Sequence, residues 1–519
     1  MKEKRINQKY IGYMVFLFAA AFLPLLISSK CSPLYPFNDW PDLNIFFTIG
    51  KGMVHGKVIY ADLMDHKGPY VYALSALAYL VSHDTFIGVF LQELINMFFF
   101  LFFAWRTIGL YVKTEDSCIW LLPLLSAGVA GSKSFVHGGS MEEFCIGIFA
   151  YGIYSLLRFL REEPKPEMKS GTLVLNGVLA GILFWSKFTV LGFYMAWMVV
   201  VMAVYLFHKQ YRQLLQSVGI FLAAFLAPTI PWLLYFGYHH QIGTWLQVYL
   251  WNNIFGYSTT GDVSLGAKLA LALLTGFRSV KDPHNLCYGL LLMVGCIVFV
   301  CLPGRMVSLW EKAAVALLGV ASVLGIFIGG TLQDYYSMPL AAFSTFGVLT
   351  AAIGVSQLKE RLGRQNKRAE AIGTGILGVV MLLTGFLLDY RISSNVYLLQ
   401  YEREEMPQYR FAELIRKSED TSILNYGFLD GGFYTVLDQV PQVQYFCTMN
   451  INSSFVFMEQ NTYVEQELTN WVVTWKGYTA QEEELRNLPV LSEHYELVDY
   501  VYFPLEEAYR TYALYKRKE

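Results

Sequence analysis

Leu286-Cys287-Tyr288-Gly289-Leu290-Leu291-Leu292-Met293-Val294-Gly295-Cys296-Ile297-Val298-Phe299-Val300-Cys301-Leu302 runs for seventeen residues without a charge. Coiled as a helix at ~1.5 Å per residue, it nearly matches the ~30 Å hydrocarbon core of a bilayer. Ten further blocks of similar character lie at 11–29, 86–105, 117–134, 144–160, 172–186, 188–207, 214–236, 313–329, 337–355 and 372–388. The whole chain is 55% apolar and 15% charged, against about 25% charged in soluble domains. In hydrocarbon every backbone polar group must be satisfied within its own segment, which leaves the helix as the spanning element. The prediction is an all-α polytopic membrane domain over 1–390, with about 11 transmembrane helices and additional juxtamembrane helices.

Lys2, Lys4 and Arg5 precede the first block, but Ser28-Ser29-Lys30-Cys31 offers no small-x-small cleavage site. The block therefore reads as a retained anchor. Basic residues collect in alternate loops: Arg106 and Lys113; Arg158, Arg161, Lys165 and Lys169; Lys209 and Arg212; Arg305 and Lys312; and Lys359, Arg361, Arg364, Lys367 and Arg368. By the positive-inside rule these loops and the N-terminus face the cytoplasm. Eleven crossings then leave the C-terminal segment outside, in a multi-pass protein of the cell membrane.

Net charge is −2 overall, but from Asp389 onward 11 Lys and Arg stand against 21 Asp and Glu. The rest carries a surplus of basic residues, mostly in the inner loops, where anionic lipid is met. Nothing in this distribution suits nucleic acid. The seven cysteines are scattered, without metal-ligand spacing or a disulfide framework. After Asp389 the apolar blocks give way to short strand-like runs at 422–428, 443–446, 497–503 and 511–515, and to an acidic helical patch at 480–486. Residues 391–519 are expected to form a small extracytoplasmic α/β domain.

Three outer segments are too long or too polar for plain turns: 30–85, 136–143 and 237–285. In the first, Phe37-Asn38-Asp39-Trp40-Pro41-Asp42 leads into an amphipathic stretch, and Asp65-His66-Lys67-Gly68-Pro69 leads into another at 69–81. Both starts lie where a helix N-terminus favours anions. Tyr70, Tyr72 and Tyr79 read as interfacial aromatics. The apolar stretch 265–275 is too short to span and reads as a helix along the interface.

Carboxylates and lysines at a lipid surface suit transfer of a sugar from a polyprenyl phosphate. A carboxylate removes the proton of an acceptor hydroxyl attacking the anomeric carbon. The lipid phosphate leaves as an anion, needs no general acid, and is held by cations such as lysine. A single base acting on one face implies inversion.

These residues resemble the GT-C glycosyltransferases, in the branch of the protein O-mannosyltransferases and the lipid A aminoarabinose transferase. The resemblance lies in Asp42, in Gly50-Lys51-Gly52, and above all in Asp65-His66-Lys67-Gly68-Pro69. It implies that Asp42 is the catalytic carboxylate, with Asp39 as the alternative. It also implies that Lys67, and Lys187 of Trp185-Ser186-Lys187, contact the donor phosphate. Two positions depart from the family pattern: Leu43 stands where an Asp-Glu pair would have its Glu, and Gly68-Pro69 follows Lys67 where the family has Pro-Pro.

Glu142 and Glu143, with Asp65 and His66, are candidates for contacts to the acceptor or to a divalent cation. No cofactor is required by the chemistry above, and whether a metal takes part is open. Tyr335 and Tyr336 mark the outer entrance of a late span, as an aromatic belt or as the lipid entrance. The expected function is a membrane glycosyltransferase of hexosyltransferase type, acting at the outer face in cell-envelope glycan or glycoconjugate assembly. Its partners would be a polyprenyl-phosphate-linked sugar, membrane lipid, and a glycan, lipid or protein acceptor. The alternative is a transporter or flippase of a lipid-linked sugar. A transporter places ionisable groups deep within its spans, whereas here they collect outside.

Overall fold

A computed structural model describes residues 2–113, 118–162, 166–256, 263–330, 332–362, 367–450, 454–505 and 508–519. Lys165, Arg364 and part of the segment 237–285 lie outside the described residues. The chain folds as a mostly helical membrane protein with a small C-terminal sheet. It divides into two compact units.

The first unit comprises 1–32, 90–231 and 258–397. Among the described residues of the whole chain, nine helical stretches are long and apolar enough to span a bilayer. One of them, Ser170–Phe207, covers 38 residues and holds two of the expected blocks. A 3-10 turn at Phe188–Leu191 breaks it directly after Lys187. The block expected at 117–134 yields a 3-10 turn followed by a helix only nine residues long, Leu122–Ala130. Where spans cross closely, small residues permit it: a Cβ on Gly295 would come within 2.1 Å of the Gly347 backbone nitrogen. That is the small-residue contact typical of membrane helices. The helix expected along the interface at 265–275 runs further, as Leu265–Lys281. Ser264 caps it, and Leu265, Leu273, Leu274 and Phe277 are exposed.

The second unit gathers three separate segments, Pro33–Val89, Trp232–Tyr257 and Leu398–Glu519. Pro41–Val54 and Pro69–Val81 are helices that each begin at proline. Proline suits a first helical position because its missing N–H would have no partner there. The two helices pack closely at Gly50, whose Cβ would strike the backbone of Ser75 and Ala76 at 2.5–2.7 Å. The C-terminal segment contributes strands β1 (Ile423–Asn425), β2 (Trp471–Lys476), β3 (Tyr495–Leu505) and β4 (Ala508–Arg517), in sheet order β1-β2-β4-β3. β1 and β2 are parallel and need a crossover, which includes the helices Phe433–Val436 and Ser454–Glu465. The other two pairings are antiparallel.

Two strand expectations change. Residues 443–446 alternate like a strand but form turns, and the Phe446 carbonyl accepts from Asn425 N–H. Trp471–Lys476 was not among the expected strands. Its first four residues are all buried, so it shows no alternation of apolar and polar faces. The acidic helix is shorter than expected, at Glu482–Arg486.

Candidate functional site

In the second unit, helix 41–54 places Asp42 in its first turn, where the helix dipole favours a carboxylate. Asp42 is 6% exposed. Its Oδ1 accepts a 2.7 Å hydrogen bond from Asn450 Nδ2, and its Oδ2 lies 3.8 Å from Lys67 Nζ. The structure thus joins two residues that the sequence motifs put 25 positions apart. Asp39 is also buried, close enough to Tyr512 of β4 to act electrostatically on its hydroxyl.

Lys67 ends the loop before helix 69–81, and both of its backbone polar groups are held by tyrosines. Tyr60 Oη donates to the Lys67 carbonyl at 2.6 Å, and Lys67 N–H donates to Tyr72 Oη at 3.0 Å. Tyr72 Oη in turn donates to Asp65 Oδ2 at 2.8 Å. Tyr60 sits at φ +67°, a left-handed conformation costly for an aromatic residue. It is fixed by stacking on Phe236 and by the hydrogen bond of its carbonyl with Gln444 Nε2. Burial pushes both phenols well above the ordinary tyrosine value, so they remain protonated donors.

Burial alone would raise the Asp65 carboxyl as well. His66 at 3.2 Å, Lys67 and the Tyr72 hydroxyl overcome it and hold Asp65 well below the usual carboxylate range. The His66 carbonyl accepts from Asn253 Nδ2 at 2.7 Å. Asn253 belongs to a π-helix at Gln247–Gly256, a form that often marks functional sites. Tyr72 and Tyr79, expected as interfacial aromatics, are engaged within the unit. Both are buried, bonded to Asp65 and Asp438 respectively, because their hydroxyls have partners inside the unit. Tyr70 is half-buried against Trp232.

Further along helix 41–54, Lys51 is fully buried. Its Nζ donates to the Tyr434 carbonyl at 2.8 Å and lies 3.1 Å from Asp438 Oδ1. Burial lowers the Lys51 ammonium against the opposing pull of Asp438. Thr48 Oγ1 donates to Asp430 Oδ2 at 2.6 Å.

In the first unit, Lys187 closes helix Ser170–Lys187 and forms an ion pair with Glu142 Oε1. Its ammonium lies 3.8 Å from the centroid of the Tyr336 ring and 5.8 Å from that of Tyr335, a cation–π arrangement. Glu142 and Glu143 open helix Met141–Leu160 behind the N-cap Ser140. Glu143 Oε2 accepts from Gly139 N–H at 3.0 Å, so Glu143 serves the cap while Glu142 meets the lysine. Glu93, in a spanning helix, is fully buried and accepts from Ser29 Oγ at 2.5 Å. Among the described residues no group of three His, Cys, Asp or Glu side chains is placed to hold a metal ion.

Asn450, Asn253, Tyr60 and Glu93 were not anticipated. The asparagines give no periodic signal, and Tyr60 reads as an ordinary loop aromatic until its backbone angle is seen.

No family model matches the chain, and no curated protein sequence matches it. Solved structures do. ArnT from Cupriavidus metallidurans bound to undecaprenyl phosphate superposes with a TM-score of 0.60 at 11% identity, covering 97% of this chain and 98% of its own. The apo form of the same protein gives 0.59 at 11%, covering 98% of both. The chain has the ArnT fold. The oligosaccharyltransferase AglB from Archaeoglobus fulgidus gives 0.48 at 12%, over 96% of this chain and 74% of its own. An ArnT fold is the architecture implied by the GT-C resemblance of the loop around Asp42 and Lys67, and it extends over nearly the full length of the chain.

Proposed function

We propose that the chain is a membrane glycosyltransferase that moves a sugar from a polyprenyl phosphate to an acceptor hydroxyl, with inversion, at the outer face of the membrane. The observation that carries this reading is the pairing of Asp42 with Lys67 at the starts of two helices in the second unit. The ArnT fold supports it, since the ArnT of the matched structure was bound to undecaprenyl phosphate.

In the proposed reaction the acceptor oxygen forms a bond to the anomeric carbon and gives its proton to the Asp42 carboxylate. The bond from that carbon to the phosphate oxygen breaks, and its electron pair leaves with the polyprenyl phosphate anion. Lys67 turns from Asp42 to that anion as charge accumulates on it. Lys187, by the family resemblance, also serves the donor's phosphate, and Tyr335 and Tyr336 shape its surroundings. Asp39 is the alternative base. Glu142, Glu143, Asp65 and His66 remain candidates for acceptor or cation contacts, and turnover after EDTA treatment decides the metal. The sugar is proposed to be a hexose and the setting cell-envelope glycan assembly.

The test is turnover of radiolabelled undecaprenyl-phosphate hexoses by the purified protein. General-base catalysis contributes about 10²–10⁴-fold, so Asp42→Asn is expected to slow transfer by that factor while still binding undecaprenyl phosphate. Asp39→Asn is expected to cost little. A dead Asp39 variant beside an active Asp42 variant would move the base to Asp39. Transport of intact donor without transfer would favour the flippase reading.

A further inference from the structure

We infer that the C-terminal segment completes the transfer site, with Asn450 as the positioning residue that aims the Asp42 carboxylate. The inference rests on the proposed function and assigns a task to a part of the chain that the reading leaves idle.

The geometry is continuous along helix 41–54. Asn450 Nδ2 holds Asp42 Oδ1, Asp430 takes the Thr48 hydroxyl, and the Tyr434 carbonyl with Asp438 takes the Lys51 ammonium. Between them Gly432, at φ +87°, comes so close that a Cβ there would lie 2.3 Å from Phe37 and 2.7 Å from Asn44 Oδ1. Residues 430–450 thus bond the helix from its first turn to its last.

What this does for chemistry follows from the two carboxylate oxygens. The amide of Asn450 donates to one of them and the lysine faces the other. A carboxylate free to rotate would present either oxygen. With Oδ1 held by an amide donor that itself cannot take a proton, the contact keeps Oδ2 turned to the Lys67 side, the oxygen that we assign to receive the acceptor's proton as Lys67 turns to the phosphate. Preorganisation of this kind raises turnover without tightening donor binding.

Five proteins test it: wild type, Asn450→Ala, Asn450→Asp, Asp42→Asn, and Asn450→Ala combined with Asp42→Asn. A hydrogen bond to a charged group is of the strength that changes rates by about ten- to a hundredfold. Asn450→Ala is expected to lower kcat by at least about tenfold, with polyprenyl phosphate bound as tightly as before. In the Asp42→Asn background the same change is expected to cost less than about twofold, since the oriented charge is already gone. Asn450→Asp keeps the volume but sets carboxylate against carboxylate, so it is expected to be slower than Asn450→Ala. A packing role predicts the reverse order, and that order would overturn the inference. So would an equal loss in both backgrounds, or an unchanged kcat. If wild type transfers sugar and Asp42→Asn stays fully active, the base assignment falls first, and the inference with it.

Discussion

Lys67 shows how a single side chain is aimed. Its ammonium reaches Asp42 because its own N–H and carbonyl are both taken by buried phenols, one of which also anchors Asp65. Tyr72→Phe removes the hydroxyl that joins Lys67 to Asp65 and leaves a buried carboxylate short of a donor. Such a deletion costs about 1–3 kcal/mol of stability. It is expected to raise KM for the donor more than it lowers kcat, because it loosens the loop that carries the cation and leaves the base in place. Steady-state kinetics beside thermal unfolding in detergent check this. An unchanged KM would show that the Lys67 backbone is held without Tyr72.

At the scale of the element, helix 41–54 contains a lysine with no access to water, held by Asp438 and a carbonyl. A lysine whose folded value lies below 10.5 binds fewer protons folded than unfolded in the interval between the two. The stability contributed by this group therefore rises with pH across that interval and is flat below it. Lys51→Met is expected to abolish that rise. Asp438→Ala, which leaves the ammonium buried without its counter-ion, is expected to destabilise more than Lys51→Met. Unfolding midpoints between pH 7 and 10 separate the two.

The start of this helix was legible in the sequence, because Pro41 followed by Asp42 and an amphipathic run is a local pattern. The same is true of Pro69 and the helix it opens. Its partners were not legible. Asn450 lies 408 residues from Asp42 and Tyr434 lies 383 from Lys51. A hydrogen bond across such a separation leaves no trace in composition or period. The hydrogen bonds of Tyr72 and Tyr79 were not legible for a related reason: a tyrosine at an interface and a buried, hydrogen-bonded one have the same local sequence.

At the scale of the whole molecule, the apolar blocks and the basic residues in alternate loops predict which parts face which side. Single cysteines introduced in a background lacking the exposed Cys287 and Cys301 test this. Positions 55 and 442 are expected to react with an impermeant thiol reagent in intact cells, and position 360 only after permeabilisation. Reaction of all three from outside would overturn the proposed orientation. Near-complete coverage of an ArnT structure at 11% identity fits a chain in which hydrophobic length and loop polarity carry the fold.

The long reach from Asp42 to Asn450 also has a consequence in time. Chains are synthesised at about 5–20 residues per second, so roughly 20–80 s separate the emergence of these two residues. During that interval helix 41–54 exists without Asp430, Asp438 or Asn450, and the Lys51 ammonium has no partner to be buried with. The helix that carries Asp42 therefore lacks these contacts, and stays more open to proteases and chaperones, until the last fifth of the chain has been synthesised. A chain cut short before that point would carry the apolar helices but lack the Asn450 amide on which the proposed aim of the Asp42 carboxylate depends.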